Sequence, residues 1–433
     1  MEKRTQYEPL ARDMILYALL KFNALPVKAV LTIGKTAAQV YNALTVLEGN
    51  GFVKEEAHIQ YSIKQRKEKT PYLYLTHRGL KYTLENERLR RKFEWIKDIS
   101  YSDDLHILGS YGSQDRFRRF LSLSTTSLMF DSAEFDAKPV YLNQTDAYND
   151  DEDQEIEEID LNEQEDLLTR KKSKLLSDRV MYAYMMNESG PQENRFVDSR
   201  KMKKDVVKLI SKSGKDWRDH ARDVIMARFL GIAKNKDKAI LIYPAPAFGI
   251  TWPPYKVQND LSVMTQYLAI FSEKKDPRES NSADAIIMVT SPKHFYHIYA
   301  DPIGKREKKN GAKDNIGDGF NHFYAVPVRR EGVAQLERIM NDSFNEQSFI
   351  DKAVESKEFS RAKKDAKLAG NLFPLVKDAT PVMVLIDMDI KKMQIIEAIA
   401  KQDTGNEYGV LCYKWQSEYL ARIFPKNIMI IGV

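Results

Sequence analysis

Three carboxylates follow apolar runs of strand length, a spacing that a phosphoryl-transfer centre could use. Glu331 follows the apolar run Phe323–Val328, and Asp387 and Asp389 follow a second such run, Val382–Ile386. Carboxylates at the ends of parallel strands converge on one crevice. Their hard oxygens could there hold magnesium and offset charge on a transferring phosphoryl group. The plainer role of Asp387 and Asp389 is a turn and a helix N-cap. A second set of residues lies near the start of the chain. Lys35, Gln39 and Asn42 recur at helical spacing, so their side chains can meet the major groove of a duplex, with Thr36 placed for a phosphate. Side-chain amides pair with base edges, whereas a hydroxyl suits a phosphate. Four more cations, Lys64, Arg66, Lys67 and Lys69, crowd the segment Lys64–Pro71, where they could neutralise phosphates or enter a minor groove.

The DNA-directed residues need a scaffold, and residues 26–79 read as a winged helix-turn-helix. Lys35–Val53 (KTAAQVYNALTVLEGNGFV) predicts a helix closed by Gly-Asn-Gly and followed at once by an extended stretch. Ala37, Tyr41 (or Val40), Leu44 and Leu47 would face a core, with Lys35, Gln39 and Asn42 on the opposite side. The runs Phe52–Ile63 and Tyr72–Thr76 flank the basic segment as a hairpin would. An apolar first helix is expected over residues 9–25, and a short second one near Val27–Leu31. His77–Trp95 predicts one long amphipathic helix whose Arg88, Arg90, Arg91 and Lys92 either extend the basic surface or form a solvated face.

Further along, Ser113–Phe130 predicts a helix with Phe117, Phe120, Leu121, Leu128 and Phe130 as its apolar positions and Arg116, Arg118 and Arg119 as a charged cluster. Asp150–Asp166 holds 11 carboxylates in 17 residues and no Lys or Arg, which argues for a solvated linker or an acidic flap that competes with DNA. From about Ser199 the chain reads as α/β. Lys238–Pro244, Ala285–Thr290, Phe323–Val328, Val382–Ile386, Val410–Tyr413 and Ile428–Val433 are strand-length apolar runs. Asp260–Phe271, Gly332–Asn341, Lys391–Ala400 and Gln416–Phe424 are helical stretches among them. Strands apolar throughout and alternating with helices imply a mixed or mostly parallel sheet covered on both faces. The pattern is clearest over residues 382–433, as β-α-β-α-β. The charge-rich stretch Lys352–Lys367 reads as helical. The expected organisation is multidomain α/β: a winged-helix domain over 1–95, a helical connector over 96–145, an acidic linker over 146–198 and an α/β domain over 199–433.

Bulk properties narrow the classes. The chain has 433 residues, 43% hydrophobic content and a formal net charge of +5, enough for two to four ordinary domains. Residues 1–95 hold 17 Lys and Arg against 10 Asp and Glu, so nucleic-acid affinity is expected there. Cys412 is the single cysteine, which excludes an intrachain disulfide and disfavours a cysteine zinc site. No apolar run approaches a membrane span and no signal-peptide block is present, so a cytoplasmic protein without a membrane partner is expected. There is no GxxxxGK[ST] phosphate loop, which argues against a P-loop motor. None of the seven histidines forms the His-apolar-His of a histidine-pair relaxase. His294 and His297 would point to opposite faces of a strand. No long heptad seam sets an oligomeric state.

Two resemblances add to this reading. Glu331 after one strand and Asp387-x-Asp389 after a later one resembles the Toprim arrangement of topoisomerases and primases, which implies a magnesium-dependent nicking, relaxing or primase-like activity. The segments Leu44–Val53 and Tyr72–Tyr82 (with its Leu-Thr-x-x-Gly), the Arg-rich helix 116–130 and residues 227–243, read as a small-residue turn and a strand pair, resemble the replication-relaxation family of plasmid and integrative-element proteins. That resemblance spans roughly residues 10–250. It implies double-stranded DNA as the partner, with replication or conjugation proteins beside it, and brings no catalytic signature. DNA binding itself requires no cofactor. A winged-helix transcriptional regulator or a protein-interaction module are the alternatives.

Overall fold

The computed structural model describes residues 10–34, 36–61, 67–103, 105, 114–142, 176–187, 194–199, 202–203, 206–207, 229–235, 238–244, 260–264, 284–299, 320–362 and 372–433. The chain divides into two compact units, Met1–Phe196 and Val197–Val433. It is mixed α/β, with parallel and antiparallel strand pairs in several sheets. Lys35, Lys64, Arg66 and the acidic tract 150–166 lie outside the described residues.

The first unit opens with α1 (Ala11–Phe22), β1 (Ala24–Pro26), α2 (Val27–Val30), α3 (Ala37–Gly49), β2 (Val53–Tyr61) and β3 (Lys67–Leu75). The strands form one antiparallel sheet in the order β1-β3-β2. β2 and β3 pair from Val53 with Leu75 out to Tyr61 with Lys67. Why α3 stops where it does is written in its last residues. Gly51 takes φ +66, the Phe52 amide returns to the Leu47 carbonyl at 2.9 Å and the Gly51 amide to Glu48 at 2.8 Å. This is the Schellman closure, which glycine makes without a Cβ penalty.

The expected long helix over His77–Trp95 is instead α4 (His77–Glu85), α5 (Glu87–Lys92) and a 3₁₀ turn, Glu94–Asp98. Asn86 breaks it, because its side chain caps α5 by accepting from the Arg88 and Leu89 amides. The Leu-Thr-x-x-Gly segment seats α4 against the turn that ends α3. Leu75 is buried, and Thr76 caps α4 by accepting from the Gly79 amide at 3.0 Å. Its hydroxyl donates to the Gly51 carbonyl at 2.6 Å. A Cβ at residue 79 would stand 1.8 Å from the Phe52 carbonyl oxygen, so only glycine allows this approach.

α6 (Gln114–Ser132) packs on α1 and β1. Phe117, Phe120, Leu121, Leu128 and Phe130 are buried as their spacing predicts, and so are the hydroxyl residues Ser124–Ser127 between them. Lys21 of α1, almost wholly buried, is held by Asp131 of α6 at 2.6 Å. β4 (Asp136–Ala137), α7 (Leu176–Met186) and the start of β5 (Arg195–Asp198) complete the described part of this unit.

In the second unit β6 (Gly231–Lys234) and β7 (Ala239–Tyr243) are an antiparallel pair. β7, β8 (Asp284–Val289) and β9 (Phe323–Pro327) follow in parallel. α8 (Pro292–Tyr299) comes after β8, and α9 (Arg330–Met340) after β9. α8 corrects the strand expected around His294 and His297: Phe295, Ile298 and Tyr299 are buried and Tyr296 is exposed, a helical rather than an alternating period. α10 (Glu346–Glu355) ends at a left-handed Lys357, φ +63. The expected helix over Lys352–Lys367 therefore stops early, and β10 (Ser360–Arg361) is extended on a sheet edge. That sheet continues through β11 (Leu375–Lys377), β12 (Thr380–Val384), β13 (Tyr408–Cys412) and β14 (Ile428–Gly432).

Residues 382–433 form β12-α11-β13-α12-β14 with parallel strands, α11 being Ile390–Gln402 and α12 Lys414–Leu420. Val382, Val384 and Ile386 face one apolar cluster, with Ile350 and Ala353 of α10. Met383 and Leu385 face another, with Met393 and Ile396 of α11. Burial on both faces is why the strand reads as an unbroken apolar run.

Candidate functional site

The exposed side of α3 is the first candidate. Val40, Leu44 and Leu47 make its buried stripe, three positions within a narrow arc at 3.6 residues per turn. This settles the alternative between Tyr41 and Val40 in favour of Val40. Ala37 and Tyr41, expected in the core, face solvent, with Tyr41 52% exposed. Gln39 and Asn42 are both exposed and one turn apart, and no other described side chain or backbone group takes up either amide. Thr36 caps the helix, its hydroxyl oxygen accepting from the Gln39 amide at 3.2 Å. Thr45 donates to the Tyr41 carbonyl at 3.0 Å. Ala38 and Val46, the latter 49% exposed, fill the rest of this face.

The hairpin supplies the neighbouring surface. Lys69 is exposed opposite Ile59, and Lys67 pairs with Tyr61 at the last described rung. Nearer the body, Glu56 is tied to Lys54 at 2.7 Å and accepts from the Tyr72 and Tyr74 hydroxyls at 2.9 and 2.7 Å. The Lys54 ammonium, with the Tyr74 hydroxyl, holds the Glu56 carboxyl down at about 2. Its charge is thus compensated within the sheet. At the other end of α3, burial and the nearby Glu55 carboxylate raise Glu48, which marks that end as locally acidic.

The basic residues of α5 are partly engaged. Arg88 approaches the buried Asp13 at 3.9 Å, Arg91 pairs with Glu87 at 2.9 Å and Lys92 lies over the Phe93 ring at 5.4 Å. On α6, Arg116 and Arg118 are half-buried and Arg119 is exposed.

In the second unit Asp387 and Asp389 come together, but Glu331 does not join them. Asp389 caps α11, with Oδ1 accepting from the Lys391 amide at 3.0 Å and the Phe323 amide at 3.2 Å. Its Oδ2 lies 2.8 Å from Nδ1 of His322. Asp387 accepts from the Asp389 amide at 3.2 Å and pairs with Lys392 at 2.7 Å. Burial pulls the Lys392 ammonium down, yet the Asp387 carboxylate outweighs it and leaves Lys392 above the ordinary lysine value. Between the two aspartates, Met388 takes φ +54, buries its side chain and accepts the Ala325 amide at 3.1 Å. Gln335 of α9 donates to the carbonyls of both Ala325 and Asp387.

Glu331 lies past the other end of β9. Asp389 bridges Tyr324, and the strand rises about 10 Å between Tyr324 and Pro327 before α9 begins. There Arg329 grips the Glu331 carboxylate at 2.8 and 3.1 Å and reaches Glu418 at 2.8 Å. Burial pushes the Glu331 carboxyl up, but the Arg329 hydrogen bond brings it below the ordinary value. Magnesium needs several converging oxygens at about 2.0–2.1 Å. These three residues do not fit it: two are committed to amides, His322 and Lys392, and the third to an arginine elsewhere. Among the described residues no group of three His, Cys, Asp or Glu side chains is placed to hold a metal ion. The aspartates join the two sheets of this unit.

His322 is the residue that local spacing could not single out. It sits 67 positions from Asp389, and only the parallel crossovers bring the two together. Its hydrogen bond to Asp389 raises it above the ordinary histidine value, against a smaller opposing effect of burial. In α8, Nδ1 of His294 is 2.7 Å from the Thr290 hydroxyl. Gln416 is fully buried and donates to the Ile386 carbonyl at 2.8 Å.

Among the described residues no helix is long and apolar enough to cross a membrane. No protein-family model, curated protein or solved structure matches the chain.

Proposed function

We propose that this chain binds duplex DNA through α3 and the β2–β3 hairpin, and that it serves replication or DNA relaxation of a plasmid or integrative mobile element. The observation that carries the binding reading is the unengaged amide pair Gln39 and Asn42 on the exposed face of α3. The order α1-β1-α2-α3-β2-β3 supports it, since a winged helix-turn-helix would run in the same order. There the recognition helix enters the major groove and the hairpin takes the backbone. Thr36 at the start of α3 and Lys67 and Lys69 of β3 are phosphate contacts in this reading; Lys64 and Arg66, expected from the sequence to join them, and Lys35, expected to face the major groove, lie outside the described residues. The mobile-element role rests on the resemblance to replication-relaxation proteins, and replication or conjugation proteins would be the further partners. A transcriptional regulator would use the same surface.

The test is binding of labelled duplexes by the full chain between about 50 and 200 mM salt, a range over which phosphate contacts weaken affinity steeply. Changing Lys67 and Lys69 to alanine should weaken all duplexes alike and reduce the salt slope by roughly 0.9 for each phosphate no longer neutralised. The rival reading, a protein-docking module, is favoured by the exposure of Tyr41 and Val46. Duplex binding that is absent or indifferent to salt would decide for it.

A further inference from the structure

We infer that α3 selects A·T base pairs, and does so from the major groove; this rests on the DNA-binding reading above. The exposed face is distinguished first by what it lacks. Between Thr36 and Asn50 there is no lysine or arginine, the side chains that make the commonest specific contact, to O6 and N7 of guanine. What the face carries are two amides and several methyl groups. Asn and Gln pair bidentately with N6 and N7 of adenine, and small apolar groups pack on the thymine methyl.

The geometry gives these groups one direction. At 100° per residue Ala38, Asn42 and Thr45 form the central line of the exposed face, with Gln39 and Val46 beside it. The Thr45 hydroxyl is committed to the Tyr41 carbonyl, which leaves its methyl as the group it can offer. Polar and apolar readers therefore alternate along one line, matching the donor–acceptor edge of adenine and the methyl of its partner. Charge sets the orientation. The N-terminal end of α3, the positive end of its dipole, favours the phosphate-lined groove. The other end carries Glu48, which burial and the nearby Glu55 carboxylate raise. The helix enters by its first two turns, those of Ala38, Gln39 and Asn42.

The experiment is selection from a random duplex pool with the full chain, followed by resynthesis of the recovered site. A·T pairs should be enriched at two or more adjacent positions. Replacing adenine there by 7-deazaadenine, which lacks N7 but leaves the minor groove unchanged, should weaken binding roughly 5- to 150-fold. Uracil in place of thymine should cost less, since it removes the methyl group alone. Gln39→Ala should erase the preference at one position and Asn42→Ala at its neighbour, and Gln39→Arg should move the first towards G·C. Enrichment of G·C by the unaltered chain, or an A·T site indifferent to 7-deazaadenine, overturns the inference while leaving DNA binding standing. Recovery of no duplex in a salt-dependent manner overturns the binding reading, and this inference with it.

Discussion

The exposed face of α3 and the Asp387-Met388-Asp389 segment both concentrate the residue types from which function is usually argued, yet they are opposite in one physical respect. On α3 the amides of Gln39 and Asn42 are in water with no partner in the described chain. In the second segment the hydrogen-bonding capacity is spent. Asp389 serves two backbone amides and His322, Asp387 serves Lys392 and a backbone amide, and Met388 lends its carbonyl to β9. Polar groups already satisfied by their own chain hold structure together, because removing them strands buried partners. Polar groups that fold without partners cost nothing to the fold and are available to another molecule. Residue type nominates both places, and the state of the hydrogen bonds separates them.

The contrast is most easily broken at Asp389. Asp389→Ala would leave the Phe323 and Lys391 amides without their acceptor and uncouple β9 from α11. The expected loss is about 3 kcal/mol or more of unfolding free energy, read from urea denaturation. A variant that kept its midpoint while losing a magnesium-dependent nicking activity would return the segment to chemistry. Next in size is Gly79→Ala. A methyl group 1.8 Å from the Phe52 carbonyl oxygen must displace backbone, so a loss of about 1–3 kcal/mol is expected. An unchanged melting temperature would mean that α4 is not seated on the turn after α3.

What could be read from the sequence divides along a related line. β12-α11-β13-α12-β14 was legible because β13 and the second half of β12 are buried on both faces, β14 at the sheet edge keeps an apolar run, and each helix buries one face, so local periodicity carries the information. The same holds for the apolar positions of α6. The break at Asn86 was hidden because Glu87–Lys92 keeps helical periodicity across it, and only the capping side chain interrupts the helix. At α3 two positions expected in the stripe, Ala37 and Tyr41, point to solvent, because the apolar character of a side chain at helical spacing does not by itself fix which face is buried. The pairing of His322 with Asp389 has no local trace, and neither does the separation of Glu331 from the aspartates. Both follow from where the ends of β9 lie.

His322 offers a milder probe of the buried region. Its hydrogen bond to Asp389 raises its folded pKa, burial works against this, and the Asp389, Asp284 and Asp387 charges add to the rise. Tyr324 stacks on the ring. A histidine whose folded pKa lies above its unfolded value stabilises the protein fully below about 6.5. That contribution fades as pH rises through the higher folded value. His322→Gln should flatten the pH dependence of unfolding across this window. With the ring about half exposed, the effect should be smaller than at Asp389 and weaker still in high salt. An identical pH profile in the variant would mean the pair does not ionise differently on folding.

The smallest expected change is the sharpest contrast. Gln39→Ala and Asn42→Ala, singly or together, should leave the unfolding midpoint within about 0.5 kcal/mol of the parent, because exposed substitutions away from caps and cores rarely do more. Alanine also favours a helix more than either amide residue does, so any shift should be slightly stabilising. The same variants should lose about 1–3 kcal/mol of discrimination between duplexes for each bidentate pair removed. Stability held while discrimination falls is the signature of groups kept for another molecule. If instead these variants unfolded early, the amides would be holding the first unit together as Asp389 holds the second, and the distinction between the two regions would vanish.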